Sequence, residues 1–187
     1  LIVDTPVSNT QKITLLDRGF NVAPLYWQLQ QNPHLWDQHP ARTESPASPH
    51  HELNDIWVRY GDTERAKDGK PHDASWYPAA DVLGLKPVCH TLMHFVKGVE
   101  LGGVLLTRIP AGVTCKPHVD HGWHATRYEK FALQITSAPG QLFQFEDVAL
   151  ETRPGDVFTF NNQYTHWVTN PTAYERITLI VCIRRET

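Results

Sequence analysis

RPGDVFTFNNQYTHWVTNPTAYERITLIVCIRR, residues 153–185, decides how the chain is read. Three apolar or alternating runs, VFTFNN (157–162), YTHWVTNPT (164–172) and ERITLIVCIRR (175–185), sit among Gly-Asp and Asn-Pro turn signals, the pattern of short β-strands. In the last run, period-two alternation gives Arg176, Thr178, Ile180 and Cys182 one face and Ile177, Leu179, Val181 and Ile183 the other. An arginine that faces an interior is costly unless it meets an anion. A hairpin about NPTA, joining 164–169 to 175–182, would set His166 opposite roughly residue 177 and make Arg176 its neighbour.

Upstream, GGVLLTRIPAG (102–112), TCKPHVD (114–120), KFALQITSAPG (130–140), QLFQFED (141–147) and VALETRPGD (148–156) repeat the same texture. Eight short strands at this spacing predict an antiparallel barrel or jelly roll, whose mouth is a natural ligand site. The preceding half reads differently. PLYWQLQQNPHLW (24–36) is a short helix with proline in its first turn, and HPARTESPASPHHE (39–52) is a long loop and a candidate substrate lid. NDIWVRYGD (54–62) is a strand, ERAKDGKPHDAS (64–75) is polar and exposed, and ADVLGLKPVCHTLMHFVKG (80–98) is one or two helices. These helices are expected to pack on the outer face of the barrel.

The chain has one HxD pair, His118 and Asp120, inside HVDHGWHATRY (118–128). On a strand, residues two apart share a face, so both side chains can converge on one point. The third ligand must come from another strand, and His166 supplies it. Two histidines and a carboxylate with open positions opposite form the facial triad of non-haem Fe(II) oxygenases. Arg176, whose planar fork suits a carboxylate, and the Thr178 hydroxyl would then bind the far carboxylate of a 2-oxo acid.

HVD, His166 and Arg176-x-Thr178 together resemble the HxD…H…RxS/T pattern of Fe(II)/2-oxoglutarate-dependent dioxygenases. TRIPAGVTCKPHVD, RPGDVFTFNNQYTHWVTN and ERITLIVCI are most similar, within that superfamily, to the aspartyl/asparaginyl β-hydroxylase family, over about residues 103–185. The resemblance implies a mainly β protein with flanking helices: a double-stranded β-helix (jelly roll, cupin-like) with an N-terminal helical and loop region packed on the barrel. It implies a single dioxygenase domain over 1–187, with 1–99 the N-terminal helices, loop and support strand and 100–187 the β-helix core. His118, Asp120 and His166 would bind Fe(II), and Arg176, Thr178 and Thr107 would hold 2-oxoglutarate. O2 and substrate would then give succinate, CO2 and a hydroxylated product. Lys130 lies near a position where that family has a basic residue facing the active site.

The substrate is expected to be an amino acid or an Asp-, Asn- or Pro-type peptide residue, with Lys130, Trp123, His124 and Arg127 as candidate contacts. His121 and His124 are read as loop or pocket histidines, not ligands. His51 and Asn54 are possible substrate contacts, whereas Trp57, Arg59, Trp76 and Trp167 are read as packing. The HxE spacing of His50 and Glu52 is rejected as a metal site because no RxT follows it at barrel spacing. Alternative readings are an oxygenase on a nucleobase or other small molecule, and a cupin-like metal-binding module without turnover.

Composition narrows the field further. A length of 187 residues suits one domain, and 41% apolar and 20% charged residues with a net charge of −3 give no basic nucleic-acid surface. No apolar run reaches the roughly 18–20 residues that span a bilayer. The opening LIVDTPVSNTQK has an acid where a signal peptide needs its apolar centre, so a cytoplasmic protein is expected. Cys89, Cys115 and Cys182 lack CxxC spacing, against both a disulfide framework and a zinc ribbon.

Overall fold

A computed structural model describes residues 11–62 and 69–186. The readings of LIVDTPVSNTQK at 1–10 and of ERAKDGKPHDAS at 64–68 lie outside the described residues. In chain order the elements are β1 (Ile13–Asp17), α1 (Ala23–Gln31), β2 (Asn54–Gly61), β3 (Ala74–Trp76), α2 (Ala79–Val82), α3 (Leu85–Phe95) and β4 (Gly98–Ile109). There follow β5 (Thr114–His118), α4 (Trp123–Arg127), β6 (Glu129–Thr136), β7 (Leu142–Phe145), β8 (Ala149–Glu151), β9 (Val157–Phe160), β10 (His166–Thr169) and β11 (Arg176–Arg185).

The strands form two sheets, a major one in the order β1-β9-β6-β11-β4-β2-β3 and a minor one in the order β5-β10-β7-β8. This is the expected double-stranded β-helix with flanking helices. The alternation on β11 divides the molecule into two layers of core. Ile177, Leu179, Val181 and Ile183 join Leu25, Leu29, Leu85 and Leu92 of α1 and α3 in a cluster on the helical side. Ile180 packs instead with Phe143, Phe145, Phe158 and Phe160 between the sheets.

The hairpin expected between 164–169 and 175–182 does not form. β10 lies in the minor sheet between β5 and β7, whereas β11 lies in the major sheet between β6 and β4. The segment between them crosses from sheet to sheet and is held by buried Asn170, whose Nδ2 donates to the carbonyls of Ile109, Pro110 and Tyr174. His166 is therefore paired with His118, not with residue 177. Arg176 shares its interior because the sheets face each other.

Two further features depart from the sequence reading. Besides the expected strand at 54–62, which is β2, the N-terminal part supplies β1 and β3 to the major sheet, so it contributes more than helices and one support strand. The C-terminal part is not the run of strands alone that its texture suggests, because WHATR of HGWHATRY forms α4. Gly102 and Gly103 let α4 and its flank approach β4 closely: a Cβ at Gly102 would come within 2.9 Å of the Tyr128 ring, and one at Gly103 within 3.3 Å of His124 Nε2.

Glu100 on β4 fastens this region. It accepts bonds from Arg127 Nη2 at 2.7 Å, Tyr128 OH at 2.6 Å and Arg184 Nε at 2.7 Å. Arg127 first, then Tyr128 and Arg184, pull its carboxyl down to about 2. A carboxylate whose folded value is depressed stabilises above its unfolded value and loses that contribution as pH falls toward the folded one. Glu100→Gln should therefore lower the urea midpoint near neutral pH, with the gap from wild type closing between about pH 4.5 and 2; a constant gap would contradict the linkage.

Candidate active site

The two sheets enclose an inner chamber of about 110 Å³, continuous in its lining with an outer chamber of about 280 Å³. His118 closes β5 and His166 opens β10 as direct register partners, with ring centroids 4.4 Å apart. Each ring turns Nδ1 to a carbonyl two residues back, His118 to Lys116 at 2.7 Å and His166 to Tyr164 at 2.9 Å. Such a bond fixes the tautomer with Nδ1–H donating and leaves Nε2 as the ligating nitrogen.

Asp120 is not on a strand with His118, as the HxD reading assumed, since β5 ends at His118. The chain bends, and Asn162 holds the bend from both sides: its carbonyl accepts from the Asp120 N–H at 3.1 Å, and its Nδ2 donates to Asp120 Oδ2 at 3.1 Å. Asp120 Oδ1 consequently lies 3.6 Å from His118 Nε2. One donor atom each of His118, Asp120 and His166 falls within 4.8 Å of the other two.

The electrostatics favour the ligating forms. Burial keeps His166 below the ordinary imidazole value, with the Tyr164 carbonyl opposing only in part. Burial would raise the Asp120 carboxyl, but Lys130, the Asn162 bond and the two histidines together hold it below its usual range. This donor set fits a hard-to-borderline divalent cation such as Fe(II).

Arg176 is 1% exposed and lines the inner chamber. Its Nη1 donates to Thr152 Oγ1 at 3.0 Å, and its buried Nη2 has no partner among the described residues. No carboxylate among the described residues offsets it, and burial alone pulls the guanidinium down to about 10, so it stays charged at neutral pH. Thr178 lines the same chamber, but its hydroxyl donates to Gln134 Oε1 at 3.3 Å and is not a free donor. Thr107 also reaches the chamber wall; its hydroxyl donates to Asp55 Oδ1 and accepts from Arg42 Nη2, both at 3.0 Å.

Lys130 stands where the chambers meet, with Nζ 3.2 Å from Cys182 Sγ and 3.7 Å from Asp120 Oδ2. Burial opposes its charge, but Cys182 and Asp120 outweigh burial and raise its pKa. Trp123, His121 and His124 line the outer chamber. Arg127 does not: its guanidinium is bound to Glu100 on the outside, which removes it from the substrate contacts.

Residues missed in the sequence come mainly from the 39–52 loop. Arg42 and His50 line both chambers. Arg42 is paired with buried Asp55 at 2.7 Å, and His50 meets the His118 ring edge-on at 4.6 Å. His50 is thus at the site after all, while Glu52 is exposed. The sequence signals were the length of the loop and its proline and serine content. His51 is bound to the Thr43 carbonyl and Asn54 to Asp37 and Arg108, outside both chambers. Trp57 stacks on Tyr60, and Arg59 lies over Trp76 and donates to the carbonyls of Leu101 and Gly102, as packing residues would.

His124 offers a direct check on this electrostatic picture. Its Nε2 accepts from the Gly103 N–H at 3.1 Å, and burial first, then Lys130, pull it down to about 4. Long-range 1H–15N spectra should find the Nδ1–H tautomer still neutral at about pH 5, below the usual imidazole value of about 6.5; an ordinary titration would contradict the buried placement.

A family model described as aspartyl/asparaginyl beta-hydroxylase matches residues 85–186, more than half of the chain. No curated protein matches the sequence. Among solved structures, an oxidoreductase of the 2OG-Fe(II) oxygenase family from Burkholderia pseudomallei is similar at 13% identity and TM-score 0.62, over 94% of this chain and 86% of that one. A prolyl hydroxylase from Trichoplax adhaerens, in complex with a hypoxia inducible factor oxygen degradation domain peptide fragment, is similar at 10% identity and TM-score 0.61, over 94% and 84%. The viral collagen prolyl hydroxylase of Paramecium Bursaria Chlorella virus-1, a 2OG complex, is similar at 12% identity and TM-score 0.55, over 97% and 100%. At these identities the likeness is one of fold.

Proposed function

Since this chain belongs to the aspartyl/asparaginyl β-hydroxylase family, we propose that it hydroxylates a carboxylate-bearing peptide residue or amino acid, using Fe(II) at His118, Asp120 and His166 and 2-oxoglutarate anchored on Arg176. The observation that carries this reading is the buried Arg176 with its unpartnered Nη2, in the same chamber as the His/Asp/His set. A cation there without an anion is a standing cost, and the distal carboxylate of a small dicarboxylate removes it through a two-point contact. When bound, the iron supplies the oxidising chemistry with 2-oxoglutarate and O2, giving succinate, CO2 and the hydroxylated product.

The chain's own work is positioning. The carbonyls of Lys116 and Tyr164 orient the two imidazoles, and Asn162 orients Asp120. Phe143, Phe160 and Val168 line the inner chamber and keep it apolar around the reacting centre. Lys130 supports the substrate assignment. Its one nearby carboxylate among the described residues is Asp120, whose charge a bound metal would claim, so a substrate carboxylate in the outer chamber restores the balance. Trp123 and Tyr60 wall that chamber. The Trichoplax enzyme holds a peptide, which favours a peptide residue over a free amino acid here.

Anaerobic addition of Fe(II) and 2-oxoglutarate should give a weak visible charge-transfer band that Asp120→Ala abolishes; no band in the wild type would sink the proposal. Arg176→Met should remove 2-oxoglutarate binding while keeping Fe(II) binding. Because it deletes an unpaired buried charge, it should also leave the ligand-free protein unchanged or stabilised by up to about 4 kcal/mol in urea titration. Equal loss of metal and 2-oxoglutarate would mean that Arg176 acts on the fold and not on the co-substrate. Lys130→Met should erase any preference for acidic over amide side chains in a succinate-release screen of short peptides.

A further inference from the structure

We propose that His50, Cys115 and His118 form a second metal site, for a thiophilic divalent cation of the Zn(II) type, which competes with the iron set for His118. One donor atom from each of the three lies within 4.8 Å of the other two, in the wall of the inner chamber. Strand alternation alone would not have built this cluster, because residues three apart on a strand point to opposite faces. The pairing of β10 with β5 is irregular here: His166 is opposite His118 but Val168 is opposite Cys115, so β5 carries one extra residue and both side chains reach the chamber. The loop delivers the third donor. The Lys116 N–H donates to the Pro49 carbonyl at 2.9 Å, pinning the loop to β5, and the His50 N–H donates to Ser48 Oγ at 3.1 Å.

The geometry also suits the ion. Tetrahedral zinc with Zn–S and Zn–N bonds of about 2.3 and 2.0 Å needs its sulfur and nitrogen ligands roughly 3.5 Å apart, and Cys115 Sγ lies 3.4 Å from His50 Nδ1. Two imidazoles and a thiolate leave one position for water and select zinc over iron by softness. Binding forms a Zn–S bond and breaks S–H, with the proton lost to solvent and nothing oxidised. The Arg42 guanidinium lines the same chamber, but Asp55 already meets its charge through two bonds, at 2.7 and 3.0 Å. His118 Nδ1 is committed to the Lys116 carbonyl, so Nε2 serves whichever set is occupied. Zinc in the thiolate set therefore takes a ligand from the carboxylate set and silences it.

Co(II) is the probe, titrated anaerobically into metal-free full-length protein without 2-oxoglutarate. The wild type should develop a near-ultraviolet thiolate-to-cobalt band that Zn(II) displaces. Cys115→Ser should abolish the band, whereas Cys182→Ser and Asp120→Ala should retain it. His50→Ala should weaken Co(II) binding at this site by more than about tenfold, the scale of loss seen even for outer-shell partners of a metal. Absence of the band in the wild type, its survival in Cys115→Ser, or unweakened binding in His50→Ala would overturn the proposal; His50→Ala decides the matter where Cys115→Ser does not fold. The iron reading stands or falls separately on the Fe(II)/2-oxoglutarate band, which does not depend on Cys115.

Discussion

Arg176 carries a positive charge into an interior where no described residue gives it an anion, and much of the arrangement between the sheets follows from that. Its neighbours form a relay of neutral groups. Arg176 donates to Thr152, and Thr152 and Thr178 both donate to Gln134 Oε1. Gln134 Nε2 in turn reaches the carbonyls of Ile177 and Thr136. Two strands, β6 and β11, and the segment after β8 are thereby tied around one guanidinium, which fixes its direction without neutralising it. A fixed, desolvated cation without a counter-charge is preorganised for an anion, because the cost of ordering it is already met by the fold.

The same partition explains why the sequence could be read as far as it could. The odd and even positions of β11 face two different cores, and the alternation of Arg176, Thr178 and Ile180 against Ile177, Leu179 and Val181 is visible in the residues themselves. What alternation does not encode is which sheet a strand joins. NPTA looks like a hairpin turn, yet Asn170 spends its side chain on carbonyls of the β4 end and of Tyr174, so the chain crosses over instead. His166 and Arg176 were rightly associated but for the wrong geometric reason: they face one another across the sandwich and are not neighbours on one sheet.

Side chains that arrive from irregular segments were the least legible. Asp120 converges on His118 through a bend stitched by Asn162, not through strand periodicity, and nothing local to HVD encodes a partner 42 positions downstream. Arg42 and His50 come from a loop whose proline and serine content signals irregularity but not destination. Arg127 shows the opposite error. It is near Lys130 in sequence, but it ends α4 whereas Lys130 lies on β6, and the helix turns it toward Glu100 on the outside. Spacing arguments hold only while the backbone keeps one period.

The charges of the two chambers follow from these placements. Arg42 has Asp55, and Arg127 and Arg184 share Glu100. Lys130 has Asp120 only so long as no metal claims that carboxylate, and Arg176 has no carboxylate among the described residues. Occupation of the His/Asp/His set thus creates a second unmatched cation beside the first. A dianionic co-substrate can answer the charge at Arg176 and at the metal, and the charge that then remains is at Lys130, on the side facing the outer chamber. On the function proposed above, anions are accordingly wanted from the inside outward, the co-substrate at the metal and Arg176 first and an acidic substrate at Lys130 last.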